Sequence, residues 1–180
     1  MDEDKILMQK FQEGDEQSFE ALIIKYRAAA VCFAERYTCD KFIAEDIAQE
    51  SLAYLYVYKD KYDNKYSFKT YLFTIIRNKS IDYYRKVKKG NLQYNLDNLS
   101  FSDTPEDAIL RAERKILFKD NINKLKEDYK MAIYLIDYEQ FTYKETGNIM
   151  NKNLTQMKIL IFRARRKLKF FMEQEGFTIE

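Results

Sequence analysis

TYKETGNIMNKNLTQMKILIFRARRKL, residues 142–168, decides the fold. Thr142 with Glu145 three residues later forms a capping box, which predicts a helix from about Tyr143. Asn151, Lys152 and Asn153 then break the helical pattern with turn chemistry. Asn153 is a good N-cap and Gln156 stands at the N3 position, so a second helix starts near Leu154. Two helices joined by a three-residue turn, the second ending in Arg163, Arg165, Arg166 and Lys167, read as a DNA-binding helix-turn-helix. From Lys144 to Lys169 there are eight Lys or Arg against the single acid Glu145. An ordinary helical hairpin with a solvated basic face is the plainer alternative.

Working outward, the charge is polarised. The net charge of +2 conceals 7 Lys/Arg against 13 Asp/Glu in residues 1–60 and 9 against 2 in residues 61–90. Residues 91–130 are near neutral, and residues 131–180 carry 8 against 6. Two basic segments separated by a neutral one, and preceded by an acidic one, suggest nucleic acid touched at two places and another partner on the acidic part. A hydrophobic fraction of 46% with four Gly and one Pro points to a folded, mostly helical chain. Its length of 180 residues suits one domain or two small ones.

Cys32 and Cys39 are too few for a disulfide framework, and on one helix they would lie about 10 Å apart along the axis, too far to bridge. The sequence has no His, which removes the usual zinc sites and most hydrolase or nuclease arrangements. No catalytic residue, metal or cofactor is expected. MDEDKILMQKF at the N-terminus lacks the zones of a signal peptide, and no apolar run approaches the roughly 18 residues of a membrane span. The expected setting is the reducing cytoplasm.

The remaining helices follow from caps and periodicity. Asp15 or Ser18 can cap a helix to about Tyr37, with Phe19, Leu22, Ile23, Tyr26, Ala30, Phe33 and Tyr37 as its apolar stripe. A second helix, about Phe42 to Tyr58, turns Ile43, Ile47, Leu52, Leu55 and Tyr58 inward and shows Glu45, Asp46, Gln49 and Glu50 on its other face. KDKYDNKYS, residues 59–67, reads as a loop, and Ser67 caps a third helix with Phe68, Tyr71, Leu72, Ile75 and Ile76 inward. That helix ends in basic residues that suit its dipole, with Gly90 as its stop. Residues 91–104, rich in Asn and Ser, read as a flexible linker. Thr104, Pro105, Glu106 and Asp107 start a helix to about Leu125, and a further one runs from about Asp128 to Glu139. The expected fold is all-α, two small helical domains at 1–90 and 105–180, the second a helix-turn-helix.

Three blocks in this order resemble a known family. AEDIAQES at 44–51, FKTYLFTIIRNKSIDYYRK at 68–86 and the helix-turn-helix are similar to regions 2 and 4 of the extracytoplasmic-function sigma factors of bacterial RNA polymerase. In the last block Glu145, Ile149, Lys158, Arg163, Ala164 and Arg165 match the family pattern. Tyr71 stands where the family usually has Trp, and Ile159 and Leu160 replace a small polar and a basic residue.

The resemblance implies a protein that binds core RNA polymerase through Glu45, Asp46, Gln49 and Glu50. It further implies contact with the −10 promoter element through Asn64, Lys65 and Tyr66 in the loop and Tyr71, Arg77, Asn78 and Arg85 on the following helix. A base turned out of the stack there would be held by aromatic and amide groups, since stacking is worth about 1–3 kcal/mol per base. Contact with the −35 element is implied for Thr155, Gln156, Lys158, Arg163 and Arg165. Members of this family are often held by an anti-sigma partner. A free-standing helix-turn-helix regulator is the competing reading, but it needs neither the AEDIAQES face nor the FKTYLFTIIRN block.

Overall fold

The computed structural model describes residues 3–89 and 120–174 of the chain, and among these every regular element is a helix. The chain forms two compact units, Met1–Leu96 and Asp97–Glu180. The linker expected at 91–104, the helix start at Thr104 and Pro105, and the stop at Gly90 lie outside the described residues.

The first unit contains α1 (Glu3–Gln12), α2 (Glu16–Thr38), α3 (Lys41–Val57) and α4 (Phe68–Lys89). Helix α2 packs against the other three. Asp15 caps it, accepting from the Gln17 backbone N–H at 3.1 Å, while the Ser18 hydroxyl donates to the second carboxylate oxygen at 2.7 Å. Hydrogen bonding to Ser18 holds the Asp15 carboxyl below its usual range. Cys39 ends α2 in the left-handed conformation, at φ 52°. Asp40 then caps α3 by accepting from the Phe42 and Ile43 N–H groups. The break between α2 and α3 at residues 38–41, TCDK, is thus a left-handed stop followed at once by an N-cap. Ser67 caps α4 as expected, through the Thr70 N–H at 3.2 Å.

Phe19, Leu22, Phe33, Leu55, Phe68, Leu72, Phe73 and Ile76 form the core of this unit. Phe33 stacks on Phe73 with ring centroids 4.5 Å apart. Two details differ from the sequence expectation. Tyr58, expected inward, is 43% exposed, because α3 has ended at Val57 and its ring lies tilted beside Tyr54 under the Lys61 ammonium. Helix α1 was not anticipated at all, yet its Met8 and Phe11 are buried. Asp4 fastens α1 to α2, paired with Lys25 and accepting the Tyr26 hydroxyl. Phe11 stacks on Phe19 at 4.4 Å.

In the second unit, residues 120–123 are helical and are followed by α5 (Glu127–Ile133), α6 (Tyr143–Met150) and α7 (Leu154–Gln174). Helix α5 continues into a wider π turn, Tyr134–Tyr138, where the Glu139 N–H bonds back to the Tyr134 carbonyl. Met131, Leu135, Ile149, Met157, Ile161, Ala164 and Leu168 make its core.

Candidate functional site

The turn between α6 and α7 is built from local bonds. Thr142 and Glu145 make both bonds of the capping box, at 3.2 and 3.0 Å. Asn151 ends α6 with φ 55° and ψ 48°, the left-handed conformation that Asn tolerates better than most residues. Asn153 and Gln156 cap α7 reciprocally, each backbone N–H donating to the other's side-chain oxygen at 2.9 Å. Gly147 lets the turn close, because a Cβ there would meet the Lys152 carbonyl oxygen at 2.6 Å. Lys152 also pairs with Asp128 at 3.0 Å, which ties the turn to α5.

These contacts fix what α7 presents. Its buried row is Met157, Ile161, Ala164 and Leu168. At 3.6 residues per turn, Thr155, Ile159 and Arg166 lie about 150–170° from that row, and Phe162 and Arg163 about 130°. Thr155 and Arg163 therefore face outward. Lys158 is exposed on the flank, about 90° from the row. Gln156 is exposed, but its amide oxygen is engaged by the Asn153 cap. Arg165 turns back toward α5, its Nε donating to Asp137 at 3.2 Å and its Nη2 pairing with the same carboxylate. Arg166, central on the outward face, belongs with the contact candidates and was missed because the charge run alone does not say which arginine points where.

The four residues of the AEDIAQES face divide into two pairs along α3. Glu45 and Gln49 border an apolar groove of about 470 Å³ between α2 and α3, whose walls include Phe19, Ile23, Leu52 and Tyr56. Tyr56 donates its hydroxyl to Glu16 at 2.8 Å, and this bond raises the Tyr56 pKa. Asp46 and Glu50, one turn apart, occupy the flank of α3 next to α4. Glu50 there pairs with Lys79 at 2.9 Å. The groove was not visible from the sequence, because its walls come from two helices.

The segment between α3 and α4 opens with a 3₁₀ turn, Lys59–Lys61, and then a short irregular stretch. Tyr62 is buried against Tyr71 and donates to the Tyr66 carbonyl at 2.8 Å. Asn64, Lys65 and Tyr66 are exposed. Lys65 pairs with Asp63 at 3.2 Å. Its backbone N–H is the main cause holding the Asp63 carboxyl below the usual range. Tyr71 is half-buried, and burial pushes its hydroxyl above the usual tyrosine range. Tyr71, Asn78 and Arg85 recur every seven residues on α4 and so share one face, drifting only about 20° per step. Arg77 is offset from that row by about 100° and half-buried. Arg85 lies within 3.6 Å of Asp82. Helix α1 holds the loop in place, with Lys5 donating to the Asn64 carbonyl at 2.7 Å and Gln12 to the Lys59 carbonyl at 2.9 Å. The sequence signal for α1 was present in the helical spacing of Asp4, Met8 and Phe11.

Comparison with known proteins gives matches for both units. Residues 22–90 match the family model for Sigma-70 region 2, and residues 117–168 that for Sigma-70, region 4. The chain is 33% identical over 133 residues to the ECF RNA polymerase sigma factor SigM of Bacillus subtilis, covering 73% of this chain and 81% of the relative. It is 28% identical to the ECF RNA polymerase sigma-E factor of Haemophilus influenzae, covering 92% and 93%. Among solved structures, the fold is similar to the sigma factor RpoE of Bartonella quintana in its complex with the anti-sigma factor NepR. That match has a TM-score of 0.67 and 24% identity and covers 87% of this chain and 98% of the other.

Proposed function

The chain belongs to the extracytoplasmic-function sigma factors of RNA polymerase, and from that premise we propose how its surfaces share the work. It binds core RNA polymerase and directs promoter recognition and transcription initiation. In our reading, core polymerase docks on the exposed face of α3, with Glu45 and Gln49 over the apolar groove and Asp46 and Glu50 on the flank. The loop residues Asn64, Lys65 and Tyr66 receive unpaired −10 bases, and Tyr71, Asn78 and Arg85 continue that track along α4, with Arg77 beside it. Thr155, Gln156, Lys158 and Arg163 carry contact with the −35 element. Arg165 positions α7 through Asp137, and Arg166 joins the contact set. The division of labour follows the proposed boundaries, 1–90 for core and −10 contacts and 105–180 for the −35 element.

The observation that carries the reading is the polar face of α3, left outward beside an apolar groove. A regulator acting without polymerase has no use for that surface. An anti-sigma factor, the kind of partner that RpoE has in its complex with NepR, is a further expected partner of this chain. We also read the chain as non-enzymatic and cytoplasmic; among the described residues no helix is long and apolar enough to cross a membrane.

The test is Asp46→Arg. Asp46 is exposed, so the change leaves the core intact, while a reversed charge at a docked surface adds repulsion as well as removing attraction. Affinity for purified core polymerase should fall about ten-fold or more, with helicity by circular dichroism unchanged. Wild-type affinity in the variant would overturn the assignment of this face.

A further inference from the structure

The outward face of α7 has an unusual centre for a surface that meets DNA. Ile159 is 46% exposed and Phe162 is 65% exposed. Single exposed apolar side chains are ordinary and need no explanation. Ile159 differs in its placement, about 170° from the buried row and between the cations Lys158 and Arg163. Thr155 lies one turn before it on the same face. As the sixth residue of α7, Ile159 stands about 8 Å along the axis from the first, within the stretch of a recognition helix that reaches base edges.

An isoleucine side chain can neither donate nor accept a hydrogen bond. Of the groups that base pairs display in the major groove, the thymine C5-methyl is the apolar one. Lys158, Arg163 and Arg166 supply the positive charge that draws a phosphate backbone to this face. We infer that Ile159 reads a thymine within the −35 element by packing against its C5-methyl group. The inference rests on α7 being the −35 reader. It makes Ile159 a determinant of promoter choice, at a position where a polar side chain would hydrogen-bond a base edge instead. Phe162 lies almost a turn farther from the helix start and is the poorer candidate for the same base.

The experiment uses holoenzyme assembled from core polymerase and the full chain. The probe is a pool of promoter duplexes randomised across the −35 element, and bound fragments are sequenced. Wild type should fix thymine at one position, on one strand or the other. Ile159→Ser should relax that position and leave the others, and Ile159→Val should retain it. Replacing that thymine by deoxyuridine removes only the methyl group. The change should weaken wild-type binding about four-fold, the effect of returning one methyl group to water, and leave Ile159→Ser unaffected.

Unchanged thymine preference in Ile159→Ser, or equal wild-type binding to thymine and deoxyuridine, overturns the inference. Lys158→Ala and Arg163→Ala tell this failure apart from a deeper one. If they weaken binding and lower its salt slope by about one unit each while Ile159→Ser does nothing, only the thymine contact falls. If neither changes affinity, sequence preference or salt slope, α7 does not read the −35 element and both readings fall together.

Discussion

The turn before α7 and the segment before α4 are both short irregular breaks between helices, but they are held in opposite ways. Residues 151–153 are fixed by their neighbours. Lys152 donates its N–H to the Gly147 carbonyl at 2.8 Å, and the caps of α6 and α7 close within three residues. Residues 59–67 have some bonds of their own, such as Tyr62 to Tyr66, yet their anchors come from far away in sequence. Lys5 and Gln12 of α1 reach Asn64 and Lys59, and the Lys59 ammonium returns a bond to the Phe11 carbonyl at 3.0 Å. The recognition helix is therefore presented by local chemistry, whereas the proposed base-receiving loop depends on a helix some fifty residues earlier. A change in α1 should disturb opening of the duplex, and a change in the turn should disturb duplex recognition.

Phe11→Ala should break the segment before α4 most severely. Phe11 is buried against Phe19 and Tyr56, and the Lys59 ammonium sits 4.9 Å above its ring. Truncating a buried phenylalanine costs about 3–5 kcal/mol. Urea unfolding followed by far-ultraviolet circular dichroism should show a loss of that size. A loss below about 1 kcal/mol would mean that α1 is an appendage and that the loop does not rely on it.

Gly147→Ala is the corresponding break on the local side, with a smaller effect. The added Cβ meets a backbone oxygen at 2.6 Å, and the nearest side-chain atom, Met157 Cγ, is already at 3.4 Å. A main-chain carbonyl cannot swing aside as a side-chain tip can, so the turn must open at a cost of about 1–3 kcal/mol. Binding to core polymerase should be retained while promoter binding by the holoenzyme weakens. Equal promoter binding by the variant and wild type would show that the turn tolerates reshaping and that the angle of α7 is not set there.

The same contrast explains what the sequence disclosed. The capping boxes at Thr142 and Asn153, the left-handed Asn151 and the Asp15 cap all act within a few residues, so their letters carry their geometry. Ser67 is equally legible. The core stripe of α2 follows from spacing, with Phe19, Leu22, Tyr26, Ala30 and Phe33 buried. What escaped was nonlocal. The groove needs Ile23 of α2 opposite Gln49 of α3. The pairing of Arg165 with Asp137 depends on how α5 and α7 pack, although the spacing of Arg163, Arg165 and Arg166 already implied that they could not all face one way. Helix α1 was overlooked for another reason. MDEDKILMQKF was weighed only against a signal peptide, whereas Asp4 is in fact buried in a pair with Lys25.

The smallest predicted effect is the most selective one. Lys5→Ala removes the bond from α1 to the Asn64 carbonyl, and Lys5 itself is only half-buried. One exposed bond of this kind is worth about 0.5–1.5 kcal/mol at most, so the fold should survive and core binding should be unchanged. If Asn64 receives an unpaired base, the position of its backbone decides how well the receiving surface is formed before the base arrives. Loosening it should slow open-complex formation on duplex promoter by a few-fold. A template already opened around the −10 element has met the unstacking cost of a few kcal/mol in advance, and on it Lys5→Ala should behave nearly as wild type. The pair of templates therefore separates a positioning role from a general loss of affinity. Equal slowing on both would leave Lys5 with a role in stability alone, and equal speed to wild type on both would remove the α1 tie from the opening step.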